Sequence, residues 1–97
     1  MENTAKILIA DENAAQRCMI RDGLEHAGYR NIEEATNGEE ALSKIASFVP
    51  DIAIVDMFLS KLDGIGVLRS SKLIDYAPAK SPSFIVLASA ANPNIFI

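Results

Sequence analysis

Apolar positions along the chain fall into short runs separated by amphipathic stretches. Lys6-Ile7-Leu8-Ile9-Ala10 is one such run, and it stops at Asp11-Glu12. It reads as a strand buried on both faces, the pattern of parallel sheets. Asn13 follows as an N-cap. Ala14, Cys18, Leu24 and Ala27 then recur at helical spacing, with Met19 and Ile20 beside them. That spacing predicts a helix over 14–27, ended by Gly28. A weaker, more polar run over 30–35 predicts an edge strand, and Asn37-Gly38 is a turn. Residues 39–48 predict a second helix, with Glu39 and Glu40 well placed in its first turn and Pro50 at its exit. "DIAIV" over 51–55 predicts a third strand. A third helix fits Gly64 to about Tyr76, with Ile65, Val67, Leu68, Leu73 and Ile74 as apolar candidates. After a polar loop containing proline, Phe84–Ala88 predicts a fourth strand.

Strands therefore alternate with helices, which predicts an α/β domain with a parallel sheet. The 97 residues suffice for one small domain. The net charge of −4, with no cluster of Lys and Arg, argues against a nucleic-acid surface on this segment. Cys18 is the only cysteine, so no internal disulfide can form, and a reducing cytoplasm is the expected location. Cys18 itself is expected to be a small core residue. His26 is expected to be a solvated helix residue, because the chain has no second histidine to pair with it. Neither a signal peptide nor a membrane span is visible.

In an open parallel sheet, ligands bind beyond the C-terminal strand ends. The first strand ends at Asp11-Glu12, the third at Asp56 and the fourth at Ser89. If the strands are parallel neighbours, three carboxylates and a hydroxyl meet at one rim. Clustered carboxylates are tolerated when a cation sits among them or when one is protonated. A hard oxygen site of this kind suits Mg²⁺ together with phosphate oxygens. One carboxylate could then act as a nucleophile, forming an aspartyl phosphate. Taken alone, Asp56 reads as a solvated strand-end residue, and Asp11-Glu12 as acids beginning a helix. The combination shifts the reading towards a site.

"KILIADEN", "ATNGEEAL", "PDIAIVDMFLSKLDGIGVL" and "FIVLASA" together resemble the receiver domain of two-component response regulators, in the same order and spacing and over essentially the whole chain. The wording of "IADEN" and "LDGIGVL" is closest to the sporulation-type regulators of that family. The resemblance implies a flavodoxin-like three-layer fold with strand order 2-1-3-4. It makes Asp56 the phosphoacceptor and Ser89 the switch hydroxyl, followed by the small Ala90. Asp11, Glu12, Asp56 and the Phe58 backbone carbonyl would hold Mg²⁺, and Asp63-Gly64 would shape the turn into the third helix.

The chain departs from the family pattern at several points. Glu12 stands where Asp is usual, and Leu59-Ser60 where Met-Pro is usual, which removes a proline's fixed φ. Phe58 is bulky beside the acceptor, so slow hydrolysis is expected. The chain ends at Ile97, before the fifth strand, its lysine and the fifth helix that the resemblance implies. Neither Lys61 nor Lys80 stands where that lysine should be. A fragment of a longer regulator is the expected explanation. Pairing of two copies through the exposed fourth-strand edge is also expected.

The function expected is that of a phosphoacceptor, not an enzyme. A histidine kinase or phosphotransfer protein would donate the group, and an appended effector would read the change. A phosphorylation-independent interaction module is the alternative. A Mg²⁺-dependent phosphohydrolase ranks last, because Phe58 stands where a second acid would be needed.

Overall fold

The computed structural model describes residues 3–74 and 82–87. Four strands and three helices alternate along them. These are β1 (Asn3–Ala10), α1 (Ala14–His26), β2 (Tyr29–Ala35), α2 (Gly38–Phe48), β3 (Ile52–Asp56), α3 (Gly64–Ser71) and β4 (Ser83–Leu87). All three strand pairings are parallel, and the order is β2-β1-β3-β4. The predicted edge position of the polar second strand is therefore observed.

Alternation along the strands divides the core in two. Leu8 and Ala10 of β1, Ala35 of β2, and Ala53 and Val55 of β3 point to one side. There they pack with Ala41 and Ile45 of α2 and Val67 of α3. Ile7, Ile9 and Ile32 point to the other side, where Ile20 and Leu24 of α1 meet them. The sheet is thus the middle of three layers. The central strand β1 is buried on both faces, which explains its unbroken apolar run.

Each helix begins on a side chain suited to its exposed N–H groups. Asn13, Asn37 and Asp63 accept from the N–H groups of Gln16, Glu40 and Gly66. Gly28, at φ 96°, turns the chain from α1 into β2. Val49 leaves α2 in the left-handed region, at φ 48°, and Pro50 follows directly, as expected at the exit. The third helix ends at Ser71, short of the predicted Tyr76, which lies outside the described residues. So do Lys80, Ala88, Ser89 and Ala90.

The inward face of α1 differs from the expected one. Ala14, Cys18 and Ala27 are exposed, and Met19 is 69% exposed. The helix instead faces the sheet through Arg17, Ile20, Arg21 and Leu24. Arg17 and Arg21 both donate to the Glu34 carboxylate on β2, at 3.0 and 2.7 Å. Long charged side chains can cover a sheet while their heads stay paired. Counting apolar residues alone therefore chose the wrong stripe. His26 is exposed, as expected.

Candidate functional site

Parallel pairing builds the site. Ala10 lies opposite Val55 in the β1–β3 register, so the next residues, Asp11 and Asp56, leave the sheet side by side at its C-terminal rim. Both are buried, at 2% and 5% exposure. Ionised carboxylates are rarely so buried unless paired or hydrogen-bonded. The Asp11 N–H donates to the Ala35 carbonyl at 3.0 Å, tying the end of β1 to β2. Its carboxylate accepts from the Asn13 N–H at 2.8 Å. The Asp56 carboxylate accepts from the Phe58 N–H at 3.2 Å.

Burial pushes the Asp11 carboxyl above its ordinary range, and the negative charges of Asp56 and Glu12 add to the effect. The Asn13 N–H and the Arg17 charge oppose it without cancelling it. The site thus sets two buried acids side by side, with burial the main cause of the Asp11 shift. It fits a hard cation, which Mg²⁺ satisfies with one or two carboxylates and otherwise water or phosphate oxygens.

Glu12 does not complete a three-carboxylate cluster. Among the described residues, no three acidic, histidine or cysteine side chains come together as a metal-holding set. The Glu12 carboxylate reaches across the rim and accepts from the Ser60 N–H in the loop between β3 and α3. The Ser60 hydroxyl and N–H hold that carboxyl below its ordinary range. Thus two positions that depart from the family pattern, Glu12 and Ser60, meet each other. The contact joins residues far apart in sequence, and no local signal announces it.

The loop from Met57 to Asp63 is packed tightly against its surroundings. A Cβ on Gly64 would lie 2.5 Å from the Asp56 carbonyl oxygen and 2.8 Å from the Met57 Cα. A Cβ on Gly38 would overlap the Leu62 carbonyl. The Gly64 N–H donates to the Met57 carbonyl at 3.0 Å, closing the turn that Asp63 caps. Asp63-Gly64 is therefore a structural pair that brings α3 up against the end of β3. Phe58, 39% exposed, points away from full burial beside Asp56.

Arg17 is not among the candidate residues that the sequence singles out. One of its guanidinium nitrogens donates to the Asp11 carbonyl at 2.7 Å and to the Glu12 carbonyl at 3.3 Å. Its helical spacing to Arg21 and Leu24 was the signal available.

Comparison with known proteins matches residues 7–95 to the response regulator receiver domain family, and the chain belongs to that family. It is 37% identical to the chemotaxis protein CheY of Thermotoga maritima over 70 residues, or 72% of this chain and 58% of that protein. Over 72 residues it is 40% identical to the alkaline phosphatase synthesis transcriptional regulatory protein PhoP of Bacillus subtilis, covering 71% of this chain and 30% of that one. The chain therefore spans less than two thirds of the length of these relatives. Among solved structures, the signal receiver domain of a NarL response regulator from Mycobacterium tuberculosis superposes with a TM-score of 0.77. It has 20% identity and covers 96% of this chain and 73% of that one, which supports the fold.

Proposed function

We propose that this domain accepts a phosphoryl group on Asp56 from a histidine kinase or phosphotransfer protein. In the transfer, the N–P bond of a phosphohistidine breaks and an O–P bond forms at the Asp56 carboxylate. The released imidazole nitrogen takes up a proton. The observation that carries the reading is the buried Asp11–Asp56 pair, set side by side at the strand ends by the β1–β3 register.

Asp11, Asp56 and the Phe58 carbonyl are the groups that would hold Mg²⁺, and Glu12 joins them only if it leaves Ser60. When bound, the cation offsets charge on the transferring phosphoryl oxygens. The protein's own share is positional. The β1–β3 register sets the two carboxylates together, and Gly64 brings the α3 turn close behind the acceptor. Ser89 is the hydroxyl that follows the new charge, and an effector beyond this domain reads the result. On this reading the chain is a cytoplasmic phosphoacceptor and not a turnover enzyme. The sporulation-type grouping rests on "IADEN" and "LDGIGVL" alone. Self-pairing through β4 rests on its outer position among the described strands and on Ile85, 48% exposed, and light scattering of a purely monomeric species at high concentration would remove it.

The test is treatment of the chain with acetyl phosphate and Mg²⁺, followed by intact mass. A phospho-adduct is expected on the wild type and not on Asp56→Asn. No adduct on the wild type would reject the reading and leave the phosphorylation-independent interaction module.

A further inference from the structure

Ser60 is the point at which three rim segments meet. Its N–H donates to the Glu12 carboxylate of the β1–α1 connection. Its carbonyl accepts from the Gly38 N–H, at the start of α2, at 3.1 Å, and from the Leu62 N–H of its own loop at 2.7 Å. The partner in this contact is also held from behind. Arg17 grips the Asp11 and Glu12 carbonyls, and Glu34 of β2 holds Arg17. Hydrogen bonds therefore run from β2 through α1 to the acidic loop, across to Ser60, and on to Gly38 just beyond the end of β2. The circuit passes round the Asp11–Asp56 pair without using either carboxylate.

The neighbouring acids have different surroundings. Asp11 is buried beside Asp56 at the strand ends. Glu12 is exposed, and donors already satisfy it. Moving Glu12 to a cation would leave the Ser60 N–H without this partner and remove a side-chain tie from the acidic loop to the loop that carries Phe58. A charge-assisted hydrogen bond is the stronger kind, so that exchange carries a cost.

We propose that Glu12 is a positioning residue, the anchor of the β3–α3 loop at Ser60, and that Asp11 alone of the acidic pair serves the cation. The cation half of this statement rests on the function proposed above. The anchor half does not.

Amide hydrogen exchange at Ser60, with a Mg²⁺ titration followed in the same NMR spectra, tests both halves. In the wild type the Ser60 amide is expected to be protected with and without Mg²⁺. Glu12→Gln retains an accepting oxygen, so protection is expected to persist. Mg²⁺ affinity should then fall by less than about threefold, as for loss of an exposed charge. Glu12→Ala should speed Ser60 exchange by about tenfold or more, the scale of a lost charge-assisted bond. The Gly38 amide should stay protected in that variant, which separates loss of the anchor from unfolding. Glu12→Asp, with charge retained but reach shortened, should behave as Glu12→Ala at Ser60.

Unchanged Ser60 exchange in Glu12→Ala would overturn the anchor. Release of Ser60 when Mg²⁺ is added to the wild type would overturn the proposal by showing that Glu12 moves to the cation. So would a tenfold or greater loss of Mg²⁺ affinity in Glu12→Gln with Ser60 still protected. A chain that binds no Mg²⁺ would reject the cation reading of the previous section, and Ser60 exchange would still decide the anchor.

Discussion

On the side of the sheet covered by α2 and α3, Leu8, Ala53, Val55, Ile45 and Val67 are wholly buried. On the side covered by α1, Ile52 and Ile54 of β3 keep part of their surface, and no residue of α1 is itself buried. The first side is held mainly by close apolar packing. The second adds arginine–carboxylate pairs, Arg17 and Arg21 with Glu34, to a thinner apolar contact through Ile20 and Leu24. Apolar burial is insensitive to pH and only weakly sensitive to moderate salt, whereas partly exposed ion pairs respond to both. One small domain therefore has two faces that should fail under different conditions.

The largest expected effect is on the packed side. Ile45→Ala removes a fully buried branched side chain and is expected to cost about 2–5 kcal/mol in urea unfolding. Leu24→Ala on the other side should cost roughly 1–2 kcal/mol, since its burial is partial. Equal losses for the two would break the comparison.

Acid should then act on the α1 side. Burial alone would raise the Glu34 carboxyl, but the hydrogen bonds and charges of Arg17 and Arg21 outweigh it and hold it below the ordinary range. A depressed folded value means stability that is complete above the ordinary glutamate range and lost as pH falls through the folded value. Protection of α1 amides, measured relative to their intrinsic exchange rate at each pH, should fall on acidification before that of α2. Glu34→Gln should produce faster α1 exchange already at neutral pH.

Asp11 has the opposite sign. Its folded value is raised, so its contribution is favourable at low pH and is lost as pH rises above the ordinary aspartate range. Asp11→Asn keeps an acceptor for the Asn13 N–H and should raise the melting temperature at neutral pH without divalent cation. A fall in melting temperature would mean that the paired acids are not strained. The smallest effect belongs to Cys18→Ser, within about 0.5 kcal/mol, because the thiol is exposed.

The contrast also explains what could be read in advance. Strands β1 and β3 were legible because burial on both faces or at the core writes itself as continuous apolar sequence. The starts of α1, α2 and α3 were legible because Asn13, Asn37 and Asp63 satisfy N–H groups only a few residues away. The neighbouring positions of Asp11 and Asp56 followed once parallel strands were assumed. The inward face of α1 was not legible, because its contacts depend on charges from β2 and not on an apolar stripe. The Glu12–Ser60 contact was hidden for a related reason. It is a long-range contact between a residue expected to hold Mg²⁺ and one read only as a departure, and only the folded loops bring them within reach.

The register of Ala10 with Val55 has one more consequence. Asp11 and Asp56 are brought together by pairing of strands distant in sequence, with a helix, a strand and another helix between them. Such contacts must bear the entropy of closing a long loop before they yield any gain. The acidic pair cannot exist in a nascent, misregistered or partly unfolded chain, and a slip of one residue would carry one carboxylate to the wrong side. Assembly of the pair is thus itself a proofreading step. A chain in which the two acids stand together has already aligned its two inner strands.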